Sequence, residues 1–300
     1  RFGEEEAHLK TVVVRGGREY QIDMHLKKNR AKGIAIDKIP IKKASELFGI
    51  LNIVFFSPED LNIIKNGPAE RRRFLDSELC QLDRIYLADL TNYNKILAQR
   101  NKLLKDMIYR PSLSDTLPVW DMQLIETGKK IIRRRKQFVD ELREIVSDIH
   151  YRISGGKEEL FLKYEPNIDD IFFEDELSRA KEKDKKLCQT SVGPHRDDIS
   201  FIVNGIDIRK YGSQGQQRTA ALSLKLAQIQ LMREVMKESP ILLLDDVLSE
   251  LDSNRKTYLL ESIKDTQTII TCTGLDEFIS KHLPIQRMFQ IKAGKIVKEN

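Results

Sequence analysis

Residues 211–252 read YGSQGQQRTAALSLKLAQIQLMREVMKESPILLLDDVLSELD. A Ser-Gly-Gln turn opens a long helix, a short loop follows, and an apolar strand ends in two carboxylates. Helix N-termini present unpaired N–H groups and a partial positive charge to anions. Carboxylates at the C-terminal end of a buried parallel strand are placed to hold Mg²⁺. The two features in this order point to a nucleotide machine. No G-x-x-x-x-G-K-[ST] phosphate loop occurs in the chain, so half of such a site is not written here.

Each segment has a plainer reading beside the chemical one. Gly212 and Gly215 let the backbone turn tightly before Gln216 and Gln217. Ser213 can donate a hydroxyl to a phosphate. Ser213 and Gln216 also satisfy the S-x-x-Q capping box, which needs no ligand. In Ile241–Asp246 the four apolar residues predict a buried parallel strand. Asp245 is placed to hold Mg²⁺, and Asp246 to orient or activate the attacking water. A solvated Asx turn would end the strand equally well. The loop Leu248-Ser249-Glu250-Leu251-Asp252 lies where subunits could meet, and also reads as an N-cap for the next helix.

Composition sets the frame. The 300 residues are 40% hydrophobic and 32% charged, with a net charge of +5. A core of useful size is available, and two domains fit the length. A nucleic-acid partner is allowed but not demanded. Cys80, Cys188 and Cys272 show no metal or disulfide spacing, as expected of a reducing cytoplasm. No apolar run is long enough to span a bilayer as a helix. The chain opens on Arg1 rather than Met, so a fragment is expected, with its first strands and phosphate loop upstream.

Working outward, residues 1–62 read as β-rich. Leu9–Arg15 and Tyr20–Leu26 flank Gly16-Gly17 as in a hairpin. Ile34–Ile41 and Ile50–Phe56 are further strand candidates. Helical periodicity then runs from Phe74 to Leu104 and from Leu124 to Ile149, broken at Pro111–Pro118. This predicts an arm of two long helices over residues 63–186. Its charged end, 151–186, is expected to be irregular and exposed. From 187 onward, the Asn204-Gly205 hairpin signal and alternating helix and strand return the chain to a layered α/β head. The basic groups Lys27–Lys32, Arg71–Arg73 and Lys129–Lys136 could neutralise phosphates, although a charge run on a helix is usually a solvated face.

The order of signature turn, acidic strand end and following loop resembles the ATP-binding-cassette superfamily. Two more segments narrow this. Pro58-Glu59-Asp60 followed by Gly67–Asp76 (GPAERRRFLD), with Asn66 where glycine is commoner, and Gly193–Asp198 (GPHRDD), are similar to hallmarks of the RecF family, related to SMC-type heads. The resemblance covers essentially the whole chain.

The resemblance implies an ATP-dependent DNA-binding protein of recombinational repair, replication restart and the SOS response. ATP and Mg²⁺ would be its cofactors, a homodimer its DNA-clamping form, and duplex and gapped DNA, RecR and RecO its partners. It implies that Ser213, Gln214, Gly215 and Gln216 contact the nucleotide of a partner subunit. Asp245 and Asp246 would serve the nucleotide in cis, and Ser249 and Asp252 would line the dimer seam. Thr273 stands where such heads often carry a switch histidine. His195 and Arg196 would contact phosphate or a partner, or tie their loop to a neighbour. Arg71, Arg72, Lys130, Arg133 and Arg134 are the DNA-contact candidates. Weak ATPase activity belongs to such intact proteins, and this chain alone is not expected to hydrolyse ATP. A nucleotide-independent scaffold for repair proteins is the alternative function. A transporter ATPase fits poorly, because the helical insertion is not a transporter feature.

Overall fold

In the computed structural model, residues 2–273 and 285–299 are described. The chain divides into two compact units: residues 1–53, 66–142 and 162–200 form the first, and 54–65, 143–161 and 201–300 the second.

The first unit begins with a four-stranded antiparallel sheet in sequential order, β1 (Glu6–Arg15), β2 (Arg18–Lys27), β3 (Gly33–Ile36) and β4 (Ile39–Ile41). Gly16 and Gly17 turn the first hairpin at φ of 54° and 75°, the left-handed conformation that a two-residue hairpin loop requires. The single strand expected over Ile34–Ile41 is instead the two-stranded hairpin β3–β4. Asp37 and Lys38 both take positive φ between β3 and β4, a turn that lacks the glycine signal.

Strand β5 (Ile53–Phe56) and the short helix α1 (Asn62–Lys65), which from residue 54 on belong to the second unit, lead to α2 (Pro68–Leu82) and α3 (Arg84–Asp106) of the first. The expected first arm helix is therefore two. Asp83 separates them, with an extended backbone and a carboxylate that accepts from the N–H groups of Ile85 and Tyr86, an N-cap hidden inside an unbroken apolar period. Pro111 opens a 3₁₀ turn that leads into α4 (Leu117–Ile153). Leu75, Leu79, Tyr93, Leu104, Leu124 and Phe138 are buried in this unit.

The charged stretch 151–186 departs most from expectation. It is ordered as the end of α4, strand β6 (Leu160–Glu165), and helices α5 (Phe173–Arg179) and α6 (Lys181–Leu187). Its charges are not all solvated. Asp184 is fully buried and pairs with the equally buried Arg100 at 2.7 Å. Arg100 also binds Asp121 at 2.7 Å and Thr190 Oγ1 at 2.7 Å. A buried, multiply bonded ion pair is compatible with a core where a single charge is not. Phe173 fills the gap above Gly128, where a Cβ would stand 2.4 Å from its ring.

The second unit follows through β7 (Asp198–Val203), β8 (Ile206–Asp207) and α7 (Ile208–Tyr211) to the long helix α8 (Gln214–Met236). Strand β9 (Ile241–Asp245), helix α9 (Ser253–Ser262) and strand β10 (Thr268–Thr271) complete the α/β part, and β11 (Phe289–Lys292) pairs with β12 (Lys295–Glu299). Strand β9 lies between β10, its parallel partner, and β5. Helix α8 buries Leu222, Ala227 and Met232. The long helix and the buried acidic strand expected from residues 211–252 therefore sit in one unit. Among the described residues, no helix is long and apolar enough to cross a membrane.

Candidate functional site

The second unit carries the signature turn, the acidic strand end and the loop after it. Ser213 is the N-cap of α8. Its Oγ accepts from the Gln216 N–H at 3.2 Å, and the Gln216 side chain accepts from the Ser213 N–H at 3.0 Å. Both halves of the capping box are present. The cap occupies the N–H of Gln216 and leaves those of Gln214 and Gly215, in the first turn, without an intrahelical acceptor. Ser213 and Gln214 are exposed, so the helix start faces solvent. Gly212 is required by space rather than by φ: a Cβ there would stand 2.6 Å from Ile208 Cβ and 2.7 Å from its carbonyl oxygen.

Asp245 ends β9 and is exposed, as is Asp246. The Asp245 carboxylate accepts from the Thr271 hydroxyl of β10. Asp246 leaves the strand in the left-handed region at φ 52°, and its N–H donates to the Thr271 carbonyl at 3.1 Å. Ser249 is exposed and donates to the Asp246 carbonyl at 2.8 Å. Asp252 caps α9 through the Arg255 N–H at 2.9 Å and is also exposed. Thr273 is exposed just beyond β10.

Four residues that the sequence reading passed over hold these parts together. Lys225 of α8 is buried, and its ammonium donates to the Phe55 carbonyl at 2.8 Å and pairs with Asp60 at 2.8 Å. The turn Ser57–Asp60 is thereby fixed to the signature helix. In that turn, a Ser57 hydrogen bond and a backbone N–H hold the Glu59 carboxyl below the usual range, against opposition from burial and from nearby Asp245. Arg255 ion-pairs with Asp252 and donates to Thr219 Oγ1 of α8 at 2.6 Å. Glu158 accepts from Gln216 at 3.1 Å and meets His150 at 3.2 Å, and His150 reaches Ser223 Oγ at 3.1 Å. Burial holds the His150 imidazole below its ordinary pKa, although Glu158 pulls the other way. A lysine within ALSLKLAQ was the one visible hint, since a charge inside an apolar helical run implies a buried partner.

The remaining candidates lie in the first unit, where the two hallmark segments meet. Arg71 is buried and grips Asp198 at 2.5 and 3.1 Å, and the Asn66 carbonyl at 2.5 Å. Arg72 donates to the Asp197 carbonyl at 2.8 Å. Burial, then the neighbouring Arg135, pulls the Arg72 pKa down. Lys130 pairs with Glu126, Arg133 with Asp170, and Arg134 with Asp83. Lys130 and Arg133 are exposed. All five basic candidates therefore already have protein partners. His195 hydrogen-bonds Tyr93 OH at 2.7 Å and the Thr190 carbonyl at 3.1 Å, tying its loop down, whereas Arg196 is exposed. A cleft of about 560 Å³, lined by Arg72, Asn94, Tyr93, Arg135 and His195 among others, opens beside them.

His195 gives this unit a pH signature. Burial is the main cause that lowers its imidazole to about 4, whereas the unfolded chain titrates near 6.5. A depressed histidine adds stability above pH 6.5 that is lost as pH falls toward 4, up to about 3 kcal/mol. Urea denaturation at pH 7 and pH 5 should show a steeper loss for the wild type than for His195→Gln. Equal losses in both would overturn it.

The likeness to known proteins is one of family and fold. No protein-family model matches the chain. The DNA replication and repair protein RecF of Agathobacter rectalis is 68% identical over 296 residues, 99% of this chain and 82% of its own length. The chain belongs to the RecF family. The RecF of Clostridium botulinum (strain ATCC 19397) is 44% identical over 303 residues, covering 99% of this chain and 82% of that protein. A solved RecF–ATP structure from the RecFOR pathway superposes with a TM-score of 0.90 at 35% identity, over 100% of this chain and 81% of its own. An SMC head bound to the C-winged helix domain of ScpA, at 14% identity, covers 97% of this chain and 72% of its own with a TM-score of 0.51, a likeness of fold alone. The fold is thus the ABC-type ATPase head shared by RecF and SMC proteins.

Proposed function

We propose that this RecF-family protein binds ATP and DNA in recombinational repair, and that ATP draws two copies together around DNA. The observation that carries the reading is the second unit's pair of exposed features: the Ser213-capped start of α8 and the Asp245-Asp246 end of β9. A RecF–ATP complex with the same fold supports it.

The donor set fits the cofactors. Asp245 offers the hard carboxylate oxygen that Mg²⁺ selects, fixed by the Thr271 hydroxyl. Mg²⁺ supplies charge neutralisation at the phosphates when bound. Asp246 is the group assigned to orient the attacking water. The Ser213 hydroxyl and the N–H groups of Gln214 and Gly215 are suited to phosphate oxygens presented by a second copy, with Gln216 steadied by Glu158. Ser249 and Asp252 are assigned to the seam, and Arg255 couples that seam to the signature helix. Thr273 is kept as the switch residue. Arg196 is proposed to meet phosphate or a partner, with His195 holding its loop. Arg71 and Arg72 are proposed to shape that loop, and Lys130, Arg133 and Arg134 to exchange their carboxylate partners for DNA phosphates. RecR and RecO are the proposed protein partners, and the cytoplasm the proposed location.

The test measures ATP turnover, self-association and duplex-DNA binding in the intact protein. Asp246→Asn is expected to slow turnover about 100-fold or more and to prolong the ATP-bound dimer. DNA affinity should fall steeply with salt. Unchanged turnover would remove Asp246 from the chemistry. DNA binding indifferent to ATP would favour the nucleotide-independent scaffold.

A further inference from the structure

We propose that the first hairpin carries a surface site for a borderline-soft divalent cation of the Zn²⁺ class, built from Glu6, His8 and His25. Strand pairing places His8 directly opposite His25, and Glu6 opposite Lys27, two positions along. Because side chains alternate along a strand, these four share one face with Lys10 and Asp23. Among the described residues, Glu6, His8 and His25 form a trio whose ligand atoms all lie within 4.8 Å of one another.

The geometry is close to what a metal needs. Glu6 Oε2 stands 2.9 Å from His25 Nε2 and 3.9 Å from His8 Nε2. A tetrahedral Zn²⁺ with bonds near 2.0–2.2 Å separates its N and O ligands by about 3.3 Å, between those two distances. The imidazoles lie face to face, with centroids 4.2 Å apart and planes inclined by 17°. All three residues are exposed, so small rotations about χ1 and χ2 bring three donors onto one ion. The position opposite His25 on β3 is Gly33, which adds no side chain beside that ring. Two imidazoles and one carboxylate select Zn²⁺, Ni²⁺ or Cu²⁺ over Mg²⁺. The fourth position stays open to water or to a further ligand.

The ammonium of Lys27 competes with the metal. It ion-pairs with Glu6 Oε1, and with His25 it holds the Glu6 carboxyl below its usual range. A bound cation would take over that role and tie β1 to β2 through side chains.

The test titrates Zn²⁺ into the chain, with Co²⁺ absorption to report coordination. The wild type is expected to bind one Zn²⁺ saturably, with rising Tm. His8→Ala, His25→Ala and Glu6→Gln should each weaken binding about tenfold or more. Lys27→Met should tighten it about two- to fivefold, because an exposed ion pair is removed. Glu6, His8 and His25 are exposed and Lys27 is half-buried at the surface, so the variants are expected to fold, and Mg²⁺ should not compete. Affinity unchanged in both histidine variants, or no saturable binding below millimolar Zn²⁺, would overturn the site. Zn²⁺ bound elsewhere, at cysteines or at Asp245, gives the first of those outcomes.

Discussion

Replacing Arg135 with methionine is expected to destabilise the first unit by about 3–5 kcal/mol, enough to unfold many domains. The guanidinium is fully buried and every arm is used. Nε donates to Tyr86 OH at 3.0 Å, Nη1 to the Pro194 carbonyl at 2.6 Å and to Asp197 at 2.8 Å, and Nη2 to Asp76 at 2.7 Å. Burial opposes its charge, but Tyr86, Asp76 and Asp197 more than offset this, and its pKa is raised. Removing it strands Asp197, whose carboxyl burial already pushes up and which among the described residues keeps Tyr164 and the Asn167 N–H. Arg135→Lys should fail almost as badly, since one ammonium cannot reach four acceptors in a planar fork. Chemical denaturation monitored by circular dichroism decides it. A loss below 1 kcal/mol would mean that the network does not hold the two hallmark segments.

That network also explains what the sequence could and could not say. Gly67–Asp76 and Gly193–Asp198 are over 100 residues apart, and nothing local says that Arg71 should grip Asp198. Arg133, Arg134 and Arg135 read as one basic run, yet the third is 2% exposed and the first largely solvated. Helix phase separates them, and phase is hidden when every residue in the run is charged. The same blindness made Asp184 look like part of a solvated tail. By contrast, the signature helix, the acidic strand and the Gly16-Gly17 hairpin were legible because each is specified within its own segment: a cap, a buried apolar run, a left-handed turn. The Asp83 break between α2 and α3 was not, since its apolar period runs straight through.

The largest functional effect is expected from Ser213→Arg. Ser213 does two things at once. It caps α8, and it places a hydroxyl at an exposed helix start beside two N–H groups without intrahelical acceptors. Losing the cap costs about 1 kcal/mol, which a 23-residue helix with a buried face tolerates. The arginine should therefore leave the fold intact while filling the space that a second copy's phosphates would enter. ATP-driven self-association, measured by analytical ultracentrifugation, should fall by about two orders of magnitude, because several hydrogen bonds to charged phosphate oxygens are each worth about 1.5–3 kcal/mol. Nucleotide affinity, assigned to Asp245 and the residues around it, should change little. Ser213→Thr, which keeps the hydroxyl and the cap, should retain most of the association. That separates phosphate contact from helix capping, because Ser213→Asp also caps yet places a negative charge against the phosphates. If Ser213→Asp associated as well as Ser213→Thr, the turn would be a cap alone, and the two-copy reading of the site would fall with it.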